Sequence, residues 1–456
     1  MRLPTLSRLC AVLAIGATLD LSAQDHARTS PKRPNLLLVV TDDQRFDQMS
    51  CAGHAVLRTP TIDRLAERGV RFTNAFVTTA VCAASRATIL TGRTESGHGY
   101  TFGRAPMGKA IGRSSFPALL AAAGYRNGFV GKWGVRFEDG AIDDAFAFRR
   151  TPNPPYIVDG KPHLTDRIAD LAIEFLRDAR HTQPFCLTVA FHAPHAQDDH
   201  PEQYLPPADL RDLYENAEVP IPPLAETGFA ALPPFLRTSL GRERWHWRFD
   251  SREKQIRRTK DYWRMITGLD RALGRILAEL ASAELDDDTV VIFTSDNGYF
   301  LGERGLAGKW LIYEESIRVP LIVVDPRLPT TRAGTIHPAM VLNLDLAPTL
   351  LDLAGVPRPA DYEGASLTAL VRGEAVPWRE DFFYEHRFDH AKIPPSIGVR
   401  GERYVYARYV REKPVYEQLF DLKEDPQQLR NLADDDAHAE TLAAMRARCE
   451  ELQRVR

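Results

Sequence analysis

Four short runs of this chain carry side chains able to hold a metal ion or move a proton: Thr41-Asp42-Asp43-Gln44, Gly131-Lys132-Trp133, His192-Ala193-Pro194-His195 and Ser295-Asp296-Asn297-Gly298. Asp42, Asp43, Asp296 and Asn297 offer only oxygen ligands. That set suits a hard divalent cation, calcium or magnesium, better than zinc. Three carboxylates around one doubly charged ion leave an excess of negative charge, so a nearby cationic residue is expected to offset it. A fifth stretch, residues 81–93, reads VCAASRATILTGR and is a small-residue loop opening a helix. Cys82 falls near the helix N-terminus, where free N–H groups and the dipole favour a thiolate or another oxyanion. Arg86, one turn later, lies on the same side. Each feature also has a plain structural reading. Asp-Asp can cap a helix, Asp-Asn-Gly can be a turn, and Cys82 can be a buried cysteine beside an ordinary helix start.

Placement on the elements of the chain gives these runs their weight. Near-continuous apolar, β-branched segments at 35–40, 128–132, 185–191, 289–294 and 320–324 read as strands buried on both faces. The four polar runs follow the first four of these strands, and ligands of an open parallel sheet bind beyond the carboxyl ends of its strands. Helical patterns at 61–68, 116–123, 166–177 and 262–280 fall between the strands. This alternation predicts an α/β fold, a mostly parallel central sheet sandwiched by helices. Residues 195–234, rich in proline and acidic side chains, predict a long excursion over the surface. Residues 237–264 are strongly basic and contain Trp245, His246 and Trp247; they read first as a solvated helix and loop, and second as a rim that attracts a polyanion. Past residue 369 the texture changes. Short aromatic and β-branched segments at 382–385, 396–400, 404–409 and 415–421 predict a small antiparallel sheet, and an alanine-rich helix over 437–453 closes a C-terminal α+β subdomain, residues 370–456.

Composition bounds the class. The chain has 456 residues, 44% of them hydrophobic and 26% charged, with a net charge of −3. These values exclude a disordered, fibrous or multi-pass membrane protein, and nothing in them points to nucleic acid as a partner. At the start, Arg2 and Arg8 precede an apolar stretch over 9–21 and the small pair Ser22-Ala23. Residues 1–23 therefore read as a signal peptide, and the mature protein is expected to be secreted or periplasmic without stable membrane insertion. An uncleaved anchor is the alternative. With Cys10 removed, Cys51, Cys82, Cys186 and Cys449 remain; they make no disulfide framework, although one bridge among them is compatible with the sequence.

The run Cys82-Ala83-Ala84-Ser85-Arg86, followed by Leu90-Thr91-Gly92-Arg93, resembles the signature of the type I, formylglycine-dependent sulfatases. Other pieces follow in the order of that family: Asp-Asp-Gln after the first strand, Gly-Lys-Trp, Pro194-His195, Ser-Asp-Asn-Gly, Gly308-Lys309, and near the end Leu419-Phe420-Asp421-Leu422, Glu424-Asp425-Pro426 and Asn431-Leu432. The resemblance spans nearly the whole mature chain. It implies an alkaline-phosphatase-like fold with the catalytic domain over 24–369. It further implies that a formylglycine-generating enzyme oxidises Cys82 to Cα-formylglycine, whose hydrated aldehyde attacks sulfur with one hydroxyl and expels sulfate with the other. One calcium ion per chain would be held by Asp42, Asp43, Asp296 and Asn297, with the modified Cys82 touching it. Arg86 would bond the formylglycine, Lys132 would sit on the sulfate and the diol, and His195 and Lys309 would bind sulfate and serve the leaving oxygen.

One position departs from the pattern. Gly-Lys-Trp is commonly followed by a histidine that assists sulfate elimination, and here the residue is Gly134. His98 and His192 are the candidates to replace it. The expected activity is hydrolysis of sulfate esters, on a sulfated sugar or an aryl sulfate. The alternatives are a phosphonate or phosphodiester hydrolase of the same superfamily, and a catalytically inactive module that binds sulfated glycans. Tyr100, Arg104, His98, the basic run at 242–248, and Tyr384, Glu385 and His386 are candidates to line a sugar pocket, each with an equally good reading as packing or surface charge.

Overall fold

The computed structural model describes residues 33–178, 183–222 and 225–454; the expected signal peptide lies outside them. The first strand, β1 (Asn35–Thr41), has every residue buried, as its unbroken apolar run predicts. Its side chains alternate between two cores: Leu36, Leu38 and Val40 face one, Leu37 and Val39 the other. Around it stand β2 (Val70–Phe76), β3 (Arg126–Gly131), β4 (Phe148–Arg150), β5 (Phe185–Ala190), β6 (Thr289–Ser295), the short ladder β7 (Phe300–Leu301) with β8 (Ala307–Gly308), then β9 (Leu321–Val324) and β10 (Thr335–Leu342). The main sheet runs β10-β2-β9-β6-β1-β5-β3-β4. Every pairing is parallel except those of β9, which runs against β6 and β2.

All five expected strands are present. The sequence pattern did not reveal β2, β4 or β10. In β2 buried and half-buried residues alternate irregularly, β4 has three residues, and β10 is an edge strand containing Pro338, which removes a ladder donor. Helices α1 (Pro60–Arg68), α2 (Cys82–Thr91), α3 (Leu164–Asp178), α4 (Arg252–Ser282) and α5 (Leu346–Leu353) cover the sheet. Residues of α2 and α5 belong to one core, those of α1, α3 and α4 to the other. The result is a three-layer α/β architecture.

The C-terminal strands β11 (Asp381–His386), β12 (Ser396–Gly401), β13 (Tyr404–Tyr409) and β14 (Tyr416–Asp421) form a separate antiparallel sheet in sequential order. One face, with Phe383, Val399, Tyr406 and Leu419, packs on the closing helix α6 (Ala439–Arg454) through Leu442 and Cys449. The other face, with Phe382, Tyr384, Val405 and Tyr409, joins the core of the main sheet. Cys51, Cys82, Cys186 and Cys449 are all free thiols. Among the described residues no helix is long and apolar enough to cross a membrane.

Candidate active site

Parallel register brings the polar runs to one edge. Residues 42–43 leave β1 beside residues 296–297 leaving β6, where Asp296 N–H bonds Thr41 O at 3.0 Å. On the other flank, Asp42 N–H bonds Ala193 O and Lys132 N–H bonds Ala190 O. Gly131 makes the second approach possible. Its φ is +101°, and a Cβ there would lie 2.0 Å from Ala190 O, so no other residue fits. Asp43 takes a left-handed φ of 64°, uncommon outside glycine, and is fixed by Tyr262 Oη donating to its carbonyl at 2.7 Å.

Each of the three carboxylates has its own cation. Lys132 Nζ pairs with Asp42, Lys309 Nζ with Asp43, and Arg86 Nε donates to Asp296 Oδ2 at 2.7 Å. Asp42, Asp43 and Asp296 are at most 2% exposed. Burial disfavours the charge on Asp42, yet Lys132, His195 and Lys309 hold its carboxyl far below the usual carboxylate range. Asp296 goes the other way, pushed up to about 6 by burial and by the neighbouring Asp42 against the pull of Arg86. Burial also disfavours a charged Lys309, but Asp43 keeps it protonated well above its ordinary value. Arg86 Nη1 additionally donates to Lys132 O at 2.8 Å, tying α2 to the end of β3.

Cys82 opens the ten-residue helix α2, every residue of which is buried. Ligand atoms of Asp42, Cys82 and Asp296 lie within 4.8 Å of one another, and so do those of Asp42, Asp43 and His195. Asp42 Oδ1 and Asn297 Oδ1 are buried and lack a hydrogen-bond partner. Orphaned oxygens among clustered carboxylates are what a bound hard cation would satisfy, so the donor set fits a hard divalent cation, the class to which calcium belongs. His195 closes the ring with Nε2 3.6 Å from Asp43 Oδ2, while its Nδ1 donates to Ala196 O. Burial lowers its pKa and the two aspartates oppose that shift. The tail of the Cys82 motif is structural. Gly92 ends the helix with φ +63°, where a Cβ would sit 2.4 Å from the Tyr362 ring, and Arg93 pairs with Asp361.

The structure thus brings together all nine expected residues: Asp42, Asp43, Cys82, Arg86, Lys132, His195, Asp296, Asn297 and Lys309. Of the two substitute histidines, His98 is fully engaged, accepting from Tyr100 N–H through Nδ1 and facing Thr88 Oγ1 through Nε2. Burial pushes its pKa down to about 3. His192 donates Nε2–H to Pro152 O at 2.9 Å. Burial and the charge of Lys132 lower it to about 3 as well. Gly134 itself has φ +73°, and a Cβ on it would come 2.8 Å from Arg86 Cδ. The space where a side chain would start is therefore closed by the arginine.

Two expectations about the surroundings need correction. The basic run at 237–264 is a solvated face only in part: Arg237, Arg252 and Arg257 are exposed, whereas Arg248, Arg258, Lys260 and Arg264 are buried. Asp198, Glu202 and Glu215, all from the acidic excursion, pair with the three buried arginines, and Lys260 donates to Glu215 O. Of the candidates for a sugar pocket, Tyr100, His98, Tyr384, Glu385 and His386 are buried packing residues, while Arg104, His246 and Trp247 are exposed and Arg242 and Arg244 partly so. Sequence reasoning missed Asp198 and Trp310, which flank the site. The signal was available, since an acid-rich excursion facing a base-rich helix predicts charge pairing between them.

The sulfatase family model matches residues 34–356, and the model described as N-sulphoglucosamine sulphohydrolase, C-terminal, matches 302–455. An N-acetylglucosamine-6-O-sulfatase of Bacteroides thetaiotaomicron is 28% identical, over 92% of this chain and 86% of its own length. A solved complex of a protein with its substrate D-glucosamine-2-N,6-O-disulfate superposes with a TM-score of 0.79 at 26% identity, covering 93% of this chain and 98% of that one. The phosphonate monoester hydrolase of Agrobacterium radiobacter superposes with a TM-score of 0.78 at 25% identity, covering 92% and 95%.

Proposed function

This chain belongs to the sulfatase family and is a sulfuric ester hydrolase, and from that premise we propose that it is an exported enzyme acting on a sulfated carbohydrate with calcium and a formylglycine made from Cys82. The observation that carries the reading is the ring of three carboxylate–cation pairs around Cys82, with two orphaned oxygens inside it. Calcium held by Asp42, Asp43, Asp296, Asn297 and position 82 would supply Lewis-acid polarisation of the sulfate. Formylglycine, installed by a formylglycine-generating enzyme, would supply the attacking oxygen.

The remaining residues act directly. Lys132 and Lys309 would place two ammonium groups on the sulfate, and Lys309 would also steady the leaving oxygen, where charge grows as the ester bond breaks. Arg86 orients position 82, one turn before it on α2, while holding Asp296. His195, with its Nδ1–H donated to Ala196 O, presents Nε2 toward the site, where it would take up a proton beside Asp43 and pass it to the leaving alcohol. A sulfated glucosamine is the substrate class best supported, by the similar N-acetylglucosamine-6-O-sulfatase and by the glucosamine disulfate complex. Export is supported by Arg2, Arg8 and the apolar stretch after them. A second reading, hydrolysis of phosphonate or phosphate esters at the same site, is favoured by the likeness to the phosphonate monoester hydrolase.

The mass of the tryptic peptide 72–86 from protein made in its own host tests the modification. Conversion of the thiol to an aldehyde lowers it by about 18 Da. An unshifted peptide would overturn the mechanism. Rates on N-acetylglucosamine 6-sulfate, glucosamine 2-N,6-O-disulfate, an aryl sulfate and an aryl phosphonate, measured side by side, then decide between the two readings.

A further inference from the structure

Beside the ring of carboxylates lies a second charged group that the chemistry above does not use. Asp198, three residues after His195, receives two guanidinium groups from one helix, Leu240–Arg248: Arg244 Nη2 on one oxygen and Arg248 Nη2 on the other. Arg248 is fully buried and spends its other terminal nitrogen on Tyr299 Oη at 2.8 Å. Two positive charges against one carboxylate leave one positive charge over. The side chain of Arg248 has no exposure, whereas that of Arg244 is 14% exposed, so Arg244 is where the surplus meets solvent. Its Nε is buried and has no hydrogen-bond partner.

Arg244 is also tied to the catalytic edge. Its guanidinium carbon lies 5.0 Å over the ring of Trp310, the residue after Lys309. Trp310 packs against Val81 and Ala84, on either side of Cys82, and its N–H bonds Ala80 O at 3.1 Å. Burial opposes ionisation of Asp198, but Arg248 and Arg244, and after them His195 and Lys309, hold its carboxyl below the ordinary value; the two clusters therefore sense each other's charge. A planar guanidinium stacked on an aromatic ring and anchored at one terminal nitrogen is pre-organised to bind carboxylate or sulfate oxygens.

We propose that Arg244 is a specificity-determining residue that receives a second anionic substituent, a carboxylate or a second sulfate, carried by the substrate next to the scissile sulfate ester. The assignment rests on the sulfatase reading above. It makes the enzyme one that favours multiply charged sugars over singly sulfated, singly charged ones. The leftover charge at Arg244 is the recognition element, Asp198 and Trp310 set its position, and Arg248 keeps Asp198 in place when Arg244 turns to a ligand.

The test is a comparison of kcat/KM on three sulfated sugars, N-acetylglucosamine 6-sulfate, glucosamine 2-N,6-O-disulfate and iduronic acid 2-sulfate, for the wild type, Arg244→Gln and Arg244→Lys. The wild type is expected to favour at least one doubly anionic sugar over the singly charged one by about tenfold or more, and which of the two it favours separates second sulfate from carboxylate. Arg244→Gln should bring that ratio to within about twofold of unity, and Arg244→Lys, which keeps the charge without the fork, should fall between. A wild type without the preference, or an Arg244→Gln enzyme that keeps it, overturns the proposal. Equal losses on all three sugars, with a lowered unfolding midpoint, would make Arg244 structural and overturn it too. A wild type inactive on every sulfate but active on an aryl phosphonate would instead overturn the sulfated-sugar reading on which the proposal stands.

Discussion

Restoring the histidine commonly found after Gly-Lys-Trp should damage this enzyme. Gly134 holds φ at +73°, a conformation that costs an L-residue about 1–2 kcal/mol. The first atom of any side chain there would also lie 2.8 Å from Arg86 Cδ, well inside ordinary contact. Arg86 cannot yield freely, because it is 4% exposed and its nitrogens hold Asp296 and Lys132 O at 2.7 and 2.8 Å. Breaking a buried pair by removing one partner costs about 3–5 kcal/mol, and a displaced Arg86 would lose part of that. Gly134→His is therefore expected to lower the unfolding free energy by about 2–4 kcal/mol, measured by urea titration. It should also cut kcat/KM on an aryl sulfate at least about tenfold, since Asp296 and Arg86 shift together. Gly134→Ala, which introduces the clash without an imidazole, should reproduce most of both effects. A Gly134→His protein as stable as the wild type and equally or more active would refute this account, and would mean that the site has room for the missing base.

Three further outcomes are expected. Cys82→Ala should lower kcat by at least about a thousandfold while leaving the unfolding midpoint nearly unchanged, and full retained activity would exclude Cys82 as the nucleophile's source. Asp296→Ala should abolish calcium retention, read by atomic spectroscopy after gel filtration, and destabilise the apoprotein by about 3–5 kcal/mol because Arg86 is left buried without its anion. Away from the site, burial and the adjacent Glu385 push Glu95 up to about 8 from 4.5. The folded state then holds a proton that the unfolded chain releases, so stability falls as pH rises from 4.5 to 8, by up to about 1.4 kcal/mol per pH unit. Glu95→Gln should flatten that slope in urea titrations, and parallel slopes for the two proteins would show that Glu95 is not the group responsible.

The parts legible in the sequence were those governed by local pattern. Segments apolar throughout, such as 35–40 and 289–294, announced buried parallel strands, and the polar residues just after them had to share an edge. Strands β2 and β10 were illegible because they are half-exposed or edge strands, so neither an unbroken apolar run nor a clean alternation marks them. The nine site residues came from strand ends and from motif resemblance together; the spacing of Cys82 and Arg86 on its own left a structural cysteine open. What the pattern could not convey was pairing between distant segments. Whether Arg248 is a solvated charge or a buried one depends on Asp198, fifty residues earlier, and nothing local to either decides it. Gly134 is similar: the sequence shows that a histidine is missing, while only the three-dimensional contact with Arg86 shows that its place is taken.

The charge arrangement gives a reason for that economy. Asp42, Asp43 and Asp296 are matched one to one by Lys132, Lys309 and Arg86, so the protein alone is close to neutral at the site. Such pairing lets three carboxylates be buried together without the repulsion that would otherwise neutralise them. Adding a divalent cation to a balanced ring leaves two positive charges, which an anionic sulfate can answer. Lys132 and Lys309, paired with Asp42 and Asp43 in the protein alone, would then be free to turn toward the sulfate oxygens once the cation shares those carboxylates. A histidine placed against Arg86 would stay neutral, as the buried His98 and His192 do, but its bulk would press on the arginine that compensates Asp296. Glycine at 134 keeps Arg86 on Asp296, and so keeps the ring of pairs intact.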